Sequence, residues 1–193
     1  MARICNERPL VEVEVHIGDS GGLVERIAEG HYDFAIVVGD SPLKAGRLIG
    51  EPIGEDELLV VAAANWHPEL RSVTVEELAE FPFIDSPQGL IRRIFVDDAL
   101  RKLGLSDRKI AASLDHPEAV KRVTEAGLGV TILFRSAVAK ELATGTLREL
   151  PIDGVHLAGS LYLVRRRDKL FSAFQQYLAE QIREHLAMQP SQH

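Results

Sequence analysis

Apolar and polar residues follow the periods of strands and helices in turn along the chain. The segment 11–17 alternates valine or isoleucine with polar residues, which predicts a half-buried strand. The apolar residues within 23–28 have the spacing of one helix face, and Gly30 is expected to end that helix. Residues 33–38 then contain an uninterrupted apolar run, which is typical of a central strand buried on both faces.

The same alternation of strands and helices continues to the end of the chain. Because the connections between these elements are short, the pattern favours an α/β fold with largely parallel sheets. A capping box at Thr74–Glu77 predicts the start of a short helix. Further strands are predicted at 57–64, 82–85, 110–114, 130–133, 147–151 and 161–164, and further helices at 91–103, 117–126, 136–144 and 171–188.

Composition and charge narrow the possible functions. The 193 residues carry a net charge of −7, which is a poor match to a phosphate backbone, so this chain is not expected to bind DNA by itself. The single cysteine, Cys5, excludes an internal disulfide and favours a reducing, cytoplasmic location. Neither a membrane-spanning run nor an apolar signal core is found, so we expect no membrane partner and no secretion.

Four segments together resemble the effector-binding domain of LysR-type transcriptional regulators. They are residues 11–36, with the pattern L-x-x-x-I-x-x-G-x-x-D-x-A-I, residues 58–84, residues 118–138 around Gly127-Leu128-Gly129-Val130, and residues 161–166. Each segment alone is a weak pattern. Their order and spacing between residues 9 and 188 make the resemblance much more specific.

The resemblance implies an α/β fold of two Rossmann-like lobes, similar to type II periplasmic binding proteins, with the first strand of lobe one missing. Lobe one would comprise 1–65 and 160–193, and lobe two 66–159. A small, anionic metabolite would bind in the interlobe cleft, and closure of the cleft would be passed to a DNA-binding domain that this chain does not contain. The family also implies a homodimer or higher homo-oligomer, paired through the helices at 22–29 and 118–126.

Effector contacts are expected where polar residues follow strands. The resemblance assigns an effector contact to Ser20, which also suits a helix N-cap. The turn Ser86-Pro87-Gln88 precedes a helix, whose N-terminal N–H groups would suit an anion, although a plain turn is an equal alternative. His116 either caps the next helix or binds the effector, and Asp40 is a turn residue or a contact. The predicted contacts are completed by Gly129 and by Phe134, where the family often has proline.

Catalytic and metal-binding alternatives find little support. Gly18-Asp19-Ser20-Gly21-Gly22 matches the nucleophile segment of chymotrypsin-like proteases, but the histidine and aspartate partners would have to lie within the 19 residues before Ser20. The scattered histidines lack metal-binding spacing, and Gly127-x-Gly129 lacks the rest of a dinucleotide fingerprint. We therefore expect no enzyme activity, no cofactor and no metal. A transporter solute-binding protein and a truncated remnant without a ligand remain alternatives.

Overall fold

A computed structural model of the chain describes residues 11–18, 20–39 and 46–187. The chain forms two compact units. Unit 1 runs up to Gly54 and resumes at Ser160, and unit 2 is Glu55–Gly159. The helices are α1 (Ser20–Glu29), α2 (Val75–Glu80), α3 (Ile91–Lys102), α4 (Pro117–Glu125), α5 (Arg135–Thr144) and α6 (Ala173–Ala187). The strands are β1 (Ala35–Gly39), β2 (Leu48–Ala63), β3 (Pro82–Asp85), β4 (Lys109–Ser113), β5 (Val130–Phe134), β6 (Leu147–Glu149) and β7 (Ala158–Arg166).

Unit 1 contains β1, β7 and the first half of β2, in the order β1-β7-β2. β1 pairs with β7 in antiparallel register, with Val37 opposite Tyr162. In the described part of the chain, β1 has a strand neighbour on this side only. Ile27 of α1 packs with Val37 on one face of the sheet, and Ala179 of α6 packs with Leu163 on the other.

Unit 2 is built on the second half of β2, which is buried on both faces. Alternate residues of β2 face opposite ways, so Val60 belongs to the core beneath α2 and α3, while Val61 belongs to the core beneath α4 and α5. β5 and β6 both pair with β2 in antiparallel register. β3 lies between β5 and β4 and is parallel to both of them.

Most predicted elements are present, but three expectations about strands were wrong. The apolar run 33–38 was expected to be buried on both faces, whereas Ile36 of β1 is 38% exposed. Residues 11–18 form no strand, because no ladder partner for them lies in the described part of the chain. Val15 and Ile17 are accordingly 64% and 98% exposed. The sheets are mixed rather than largely parallel, because β2 is antiparallel to both of its partners in unit 2.

Strand β2 also begins earlier than its apolar run. The prediction started at Glu57, whereas the strand begins at Leu48. Its first half contains Pro52 and Gly54, which are usually signs of a loop, and it alternates buried and exposed residues less strictly.

Candidate functional site

The parallel strands of unit 2 bring three predicted contacts to one edge of the sheet. β3, β4 and β5 run in the same direction, so their carboxyl ends lie at the same edge. Ser86 follows β3, His116 follows β4, and Phe134 ends β5. Ligands of open α/β sheets bind at carboxyl ends of strands, which makes this edge the candidate site.

Ser86 is fully buried, and its backbone and side chain differ in their hydrogen bonding. Its backbone N–H donates to Oδ1 of Asp85 at 2.7 Å, but its Oγ has no hydrogen-bond partner among the described residues. The turn continues through half-buried Pro87 and exposed Gln88 to α3. Leu90 is the N-cap of α3 and offers no side-chain hydrogen bond, so the first N–H groups of the helix lack a cap.

Asp85 anchors a network of charges behind the turn. Its Oδ2 accepts from Nε of Arg108 at 3.0 Å and from Nη2 of the same residue, and it lies 3.3 Å from Nη1 of Arg93. Nε of Arg93 also donates to Asp97 at 2.8 Å, and Nη2 of Arg108 lies 2.6 Å from Asp97. Nη1 of Arg93 donates to the carbonyl of Ser86 at 3.3 Å. The network therefore fixes the position of the Ser86 turn.

Arg92 lies beside this network without taking part in its hydrogen bonds. Its Nη2 is buried and has no hydrogen-bond partner among the described residues. Burial lowers the pKa of the Arg92 guanidinium, and the negative charge of Asp85 offsets that effect only in part. Ser86 and Arg92 thus offer two buried donors that the described chain leaves unsatisfied. Such groups are uncommon and costly in folded proteins, and a bound ligand is one explanation.

The other predicted contacts in unit 2 have structural roles. His116 caps α4, because its Nδ1 accepts from the N–H of Glu118 at 3.3 Å. The ring of Phe134 packs 5.9 Å from that of Phe95, at the edge of the core. Gly129 lies at the opposite end of β5 from Phe134 and next to Pro82, so it is not brought together with Ser86.

Two predicted contacts belong to the part of the chain before Gly54. Ser20 is the first residue of α1 and is half-buried. Asp40 lies outside the described residues. A depression of about 190 Å³ near the start of α1 is lined by His16, Ile17, Gly18, Gly22, Leu23, Arg26 and Tyr32. Metabolite sites usually enclose roughly 300–1,000 Å³, so this depression alone is small for one.

The described residues contain no group of three or more His, Cys, Asp or Glu side chains arranged to hold a metal ion. Within the same part of the chain, none of the helices has the length and apolar character needed to cross a membrane.

The sequence pattern pointed to Ser86 as a candidate contact but not to the charged residues around it. Asp85 and Arg108 are 23 positions apart, and only the pairing of β3 with β4 brings them together. The signals available in the sequence were an aspartate ending an apolar strand and the pair Arg92-Arg93 in the first turn of the following helix.

Comparison with known proteins shows to which family the chain belongs. The model of the LysR substrate binding domain matches residues 1–187. A probable RuBisCO transcriptional regulator of Trichormus variabilis is 33% identical over 186 residues, covering 90% of this chain and 54% of the relative. The uncharacterised HTH-type transcriptional regulator YeiE of Escherichia coli is 30% identical over 179 residues, covering 92% of this chain and 60% of the relative. The chain thus spans little more than half the length of these regulators.

Solved structures show the same fold. The regulatory domain of CcmR from Synechocystis, in complex with 2-PG, superimposes with a TM-score of 0.80 at 19% identity, covering 99% of this chain and 89% of that one. The effector binding domain of QuiR, in complex with shikimate, gives 0.77 at 15% identity, covering 97% and 88%. The predicted fold class is confirmed. By its match over residues 1–187, this chain belongs to the family of LysR substrate-binding domains.

Proposed function

We propose that this chain is the ligand-sensing regulatory domain of a LysR-type transcriptional regulator and that it binds a small anionic metabolite. The observation that carries the proposal is the pair of unsatisfied buried donors, Ser86 Oγ and Arg92 Nη2, near the uncapped start of α3. Hydrogen-bond donors at a helix N-terminus favour an anion. The names of the relatives favour a regulator over a transporter protein or an enzyme.

The remaining functions belong to the proposed full-length regulator. DNA binding would come from a domain outside this chain, and the regulator would act in the cytoplasm as a homodimer or a higher homo-oligomer. Ligand binding would influence the DNA-binding domain only as far as the ligand binds one conformation better than another.

A thermal-shift screen of small carboxylates and phosphates tests the proposal. A ligand at one hundred times its Kd stabilises the native state by about 2.7 kcal/mol. For a chain of this size, that corresponds to a rise in Tm of roughly 5–10 °C. We expect Ser86→Ala to abolish the rise, because this change removes one of the two unused donors. Ser20→Ala in the same screen tests the predicted contact on α1.

Ser72→Ala is the matched control, since Ser72 is a half-buried serine of unit 2 in the loop before α2. It should keep the full rise in Tm. A chain that is folded by circular dichroism and shows no rise with any compound would contradict the proposal and favour a remnant that binds nothing.

A further inference from the structure

The charges around the Ser86 turn indicate which kind of anion the site accepts. This inference rests on the proposed function, because it concerns the same site. Three guanidinium groups and two carboxylates make up the cluster, namely Arg92, Arg93, Arg108, Asp85 and Asp97.

The two carboxylates already satisfy two of the three cations. Asp85 accepts from Arg108 through one oxygen and from the N–H of Ser86 through the other. Asp97 accepts from Nε of Arg93 with both oxygens, at 2.8 and 3.0 Å, and lies 2.6 Å from Nη2 of Arg108. The Arg93 and Arg108 side chains are only 11% and 2% exposed, so these contacts are shielded from solvent. The four residues form a neutral unit.

Arg92 is the cation that remains. None of the hydrogen bonds in this unit involves it, and its Nη2 is buried without a partner among the described residues. The cluster as a whole therefore carries one positive charge, and this charge lies in the first turn of α3. Ser86 Oγ adds one further unsatisfied donor.

From this balance, we infer that the site takes the singly charged carboxylate group of its metabolite in preference to a doubly charged phosphate ester. Ser86 Oγ and Arg92 Nη2 together supply as many unsatisfied side-chain groups as a carboxylate has oxygens. A phosphate ester carries a charge of about −1.5 to −2 at neutral pH and three acceptor oxygens. Binding it would leave about half to one unit of negative charge uncompensated in a partly buried place, which is costly. The uncapped N–H groups of α3 favour the binding of both anions and so do not discriminate between them.

Benzoate and phenyl phosphate are suitable probes, because they share one ring and differ in the anionic group. Titration of the 193-residue chain, followed by nitrogen-15 NMR, gives both the affinity and the location of binding. We expect benzoate to bind at least about tenfold more tightly than phenyl phosphate, a preference of roughly 1.4 kcal/mol. It should shift the backbone resonances of residues 86–93. Arg92→Gln should abolish these shifts, whereas Arg122→Gln, at a 77% exposed side chain on α4, should keep them.

Asp97→Asn tests the charge balance itself. The amide keeps an acceptor oxygen for Arg93 but removes one negative charge, so the cluster should carry two positive charges. The preference for benzoate over phenyl phosphate should then fall several-fold or reverse. An unchanged preference in the folded variant would overturn the inference.

Two outcomes would distinguish a site without carboxylate preference from the absence of any ligand site. If phenyl phosphate binds as tightly as benzoate and shifts residues 86–93, the carboxylate preference is wrong while the ligand site stands. If neither probe shifts residues 86–93, and if 2-PG and shikimate also leave them unchanged, the proposed site and the inference are both wrong.

Discussion

Arg92 illustrates how the proposed ligand site would cost stability in the free protein. A buried donor without a partner costs about 1–3 kcal/mol of stability. At the residue scale, the chain is therefore expected to give up stability at the Ser86 turn in exchange for a place where an anion can bind.

Substitution of Arg92 measures the cost of burying its unpaired charge. Arg92→Met removes the buried charge and keeps most of the side-chain volume, so we expect the free energy of unfolding without ligand to stay constant or to rise by about 1 kcal/mol. Urea denaturation measures it. A loss of more than about 1 kcal/mol would show that Arg92 stabilises the fold through its charge.

Gly129 is required for a close contact between two strands. A Cβ at this position would lie 2.0 Å from the carbonyl oxygen of Pro82. We expect Gly129→Ala to lower the free energy of unfolding by about 2–3 kcal/mol, because backbone atoms would have to move.

Gly154→Ala is the control for the backbone conformation. Gly154 also has a positive φ, of 68°, but a Cβ there would meet no atom within 4 Å. This variant should lose only about 1–2 kcal/mol, the cost of the left-handed conformation. Urea denaturation compares the two variants. Equal losses in the free energy of unfolding would mean that the contact with Pro82 does not add to the cost of Gly129→Ala.

His116 gives a way to separate helix capping from effector binding. His116→Ala should cost about 1 kcal/mol of stability, whereas His116→Asn should be close to neutral, since asparagine is a good N-cap. If His116→Asn preserves stability but weakens the binding of an identified ligand, His116 also contacts that ligand. Unchanged binding would leave capping as its role.

At the scale of elements, Lys121 connects α4 to α5. Its Nζ lies 2.6 Å from Glu118 and 3.0 Å from Glu141, and it donates to the carbonyl of Ala137 at 3.2 Å. Burial alone would raise the pKa of Glu141, but the hydrogen bond and charge of Lys121 bring it below the ordinary value of 4.5. Burial would likewise lower the pKa of Lys121, but Glu118 and Glu141 raise it above 10.5.

These shifts predict how the connection depends on pH. Because the pKa of Glu141 is lowered in the folded state, its contribution is complete above pH 4.5 and is lost as the pH falls through the lowered value. The contribution of Lys121 is complete below pH 10.5 and is lost as the pH rises through its raised value. Lys121→Met should therefore cost about 1–3 kcal/mol near neutral pH, and less in acid.

Urea denaturation at several pH values measures this difference. Lys102→Met, at an exposed lysine ending α3, is the control and should cost little at any pH. A cost for Lys121→Met that stays constant from neutral pH to well below pH 4.5 would contradict the assigned role of its charge.

The elements also show what the sequence alone can predict. β3 was predicted with its observed bounds, and Thr74 and Pro117 mark helix starts as expected, because local capping chemistry decides these features. The first half of β2 was missed, since pairing with β7 overrides the local loop signals of Pro52 and Gly54. The same holds for the candidate site. The Ser86 turn follows from the local sequence, whereas the charged residues around it are brought there by strand pairing.

At the scale of the whole molecule, the net charge predicts that this chain does not bind DNA by itself. With a net charge of −7, the chain should not bind duplex DNA measurably at about 0.15 M salt, where non-specific affinities of basic proteins are typically near 10⁻⁴–10⁻⁶ M. Fluorescence anisotropy with labelled duplex DNA measures this. Saturable binding that weakens with salt and is lost when Arg165, Arg166 and Arg167 are replaced would contradict the prediction.

Strand β1 has a consequence for how the protein behaves at high concentration. Its sequence, Ala35-Ile36-Val37-Val38-Gly39, contains no charge and no proline, and within the described residues it pairs on one side only. Natural edge strands usually carry a charged residue or a proline, because an unprotected edge can pair with strands of other molecules. Replacing Ile36, which is 38% exposed, with lysine should therefore reduce precipitation at high concentration without raising Tm, because a charge on the edge disfavours strand pairing between folded molecules.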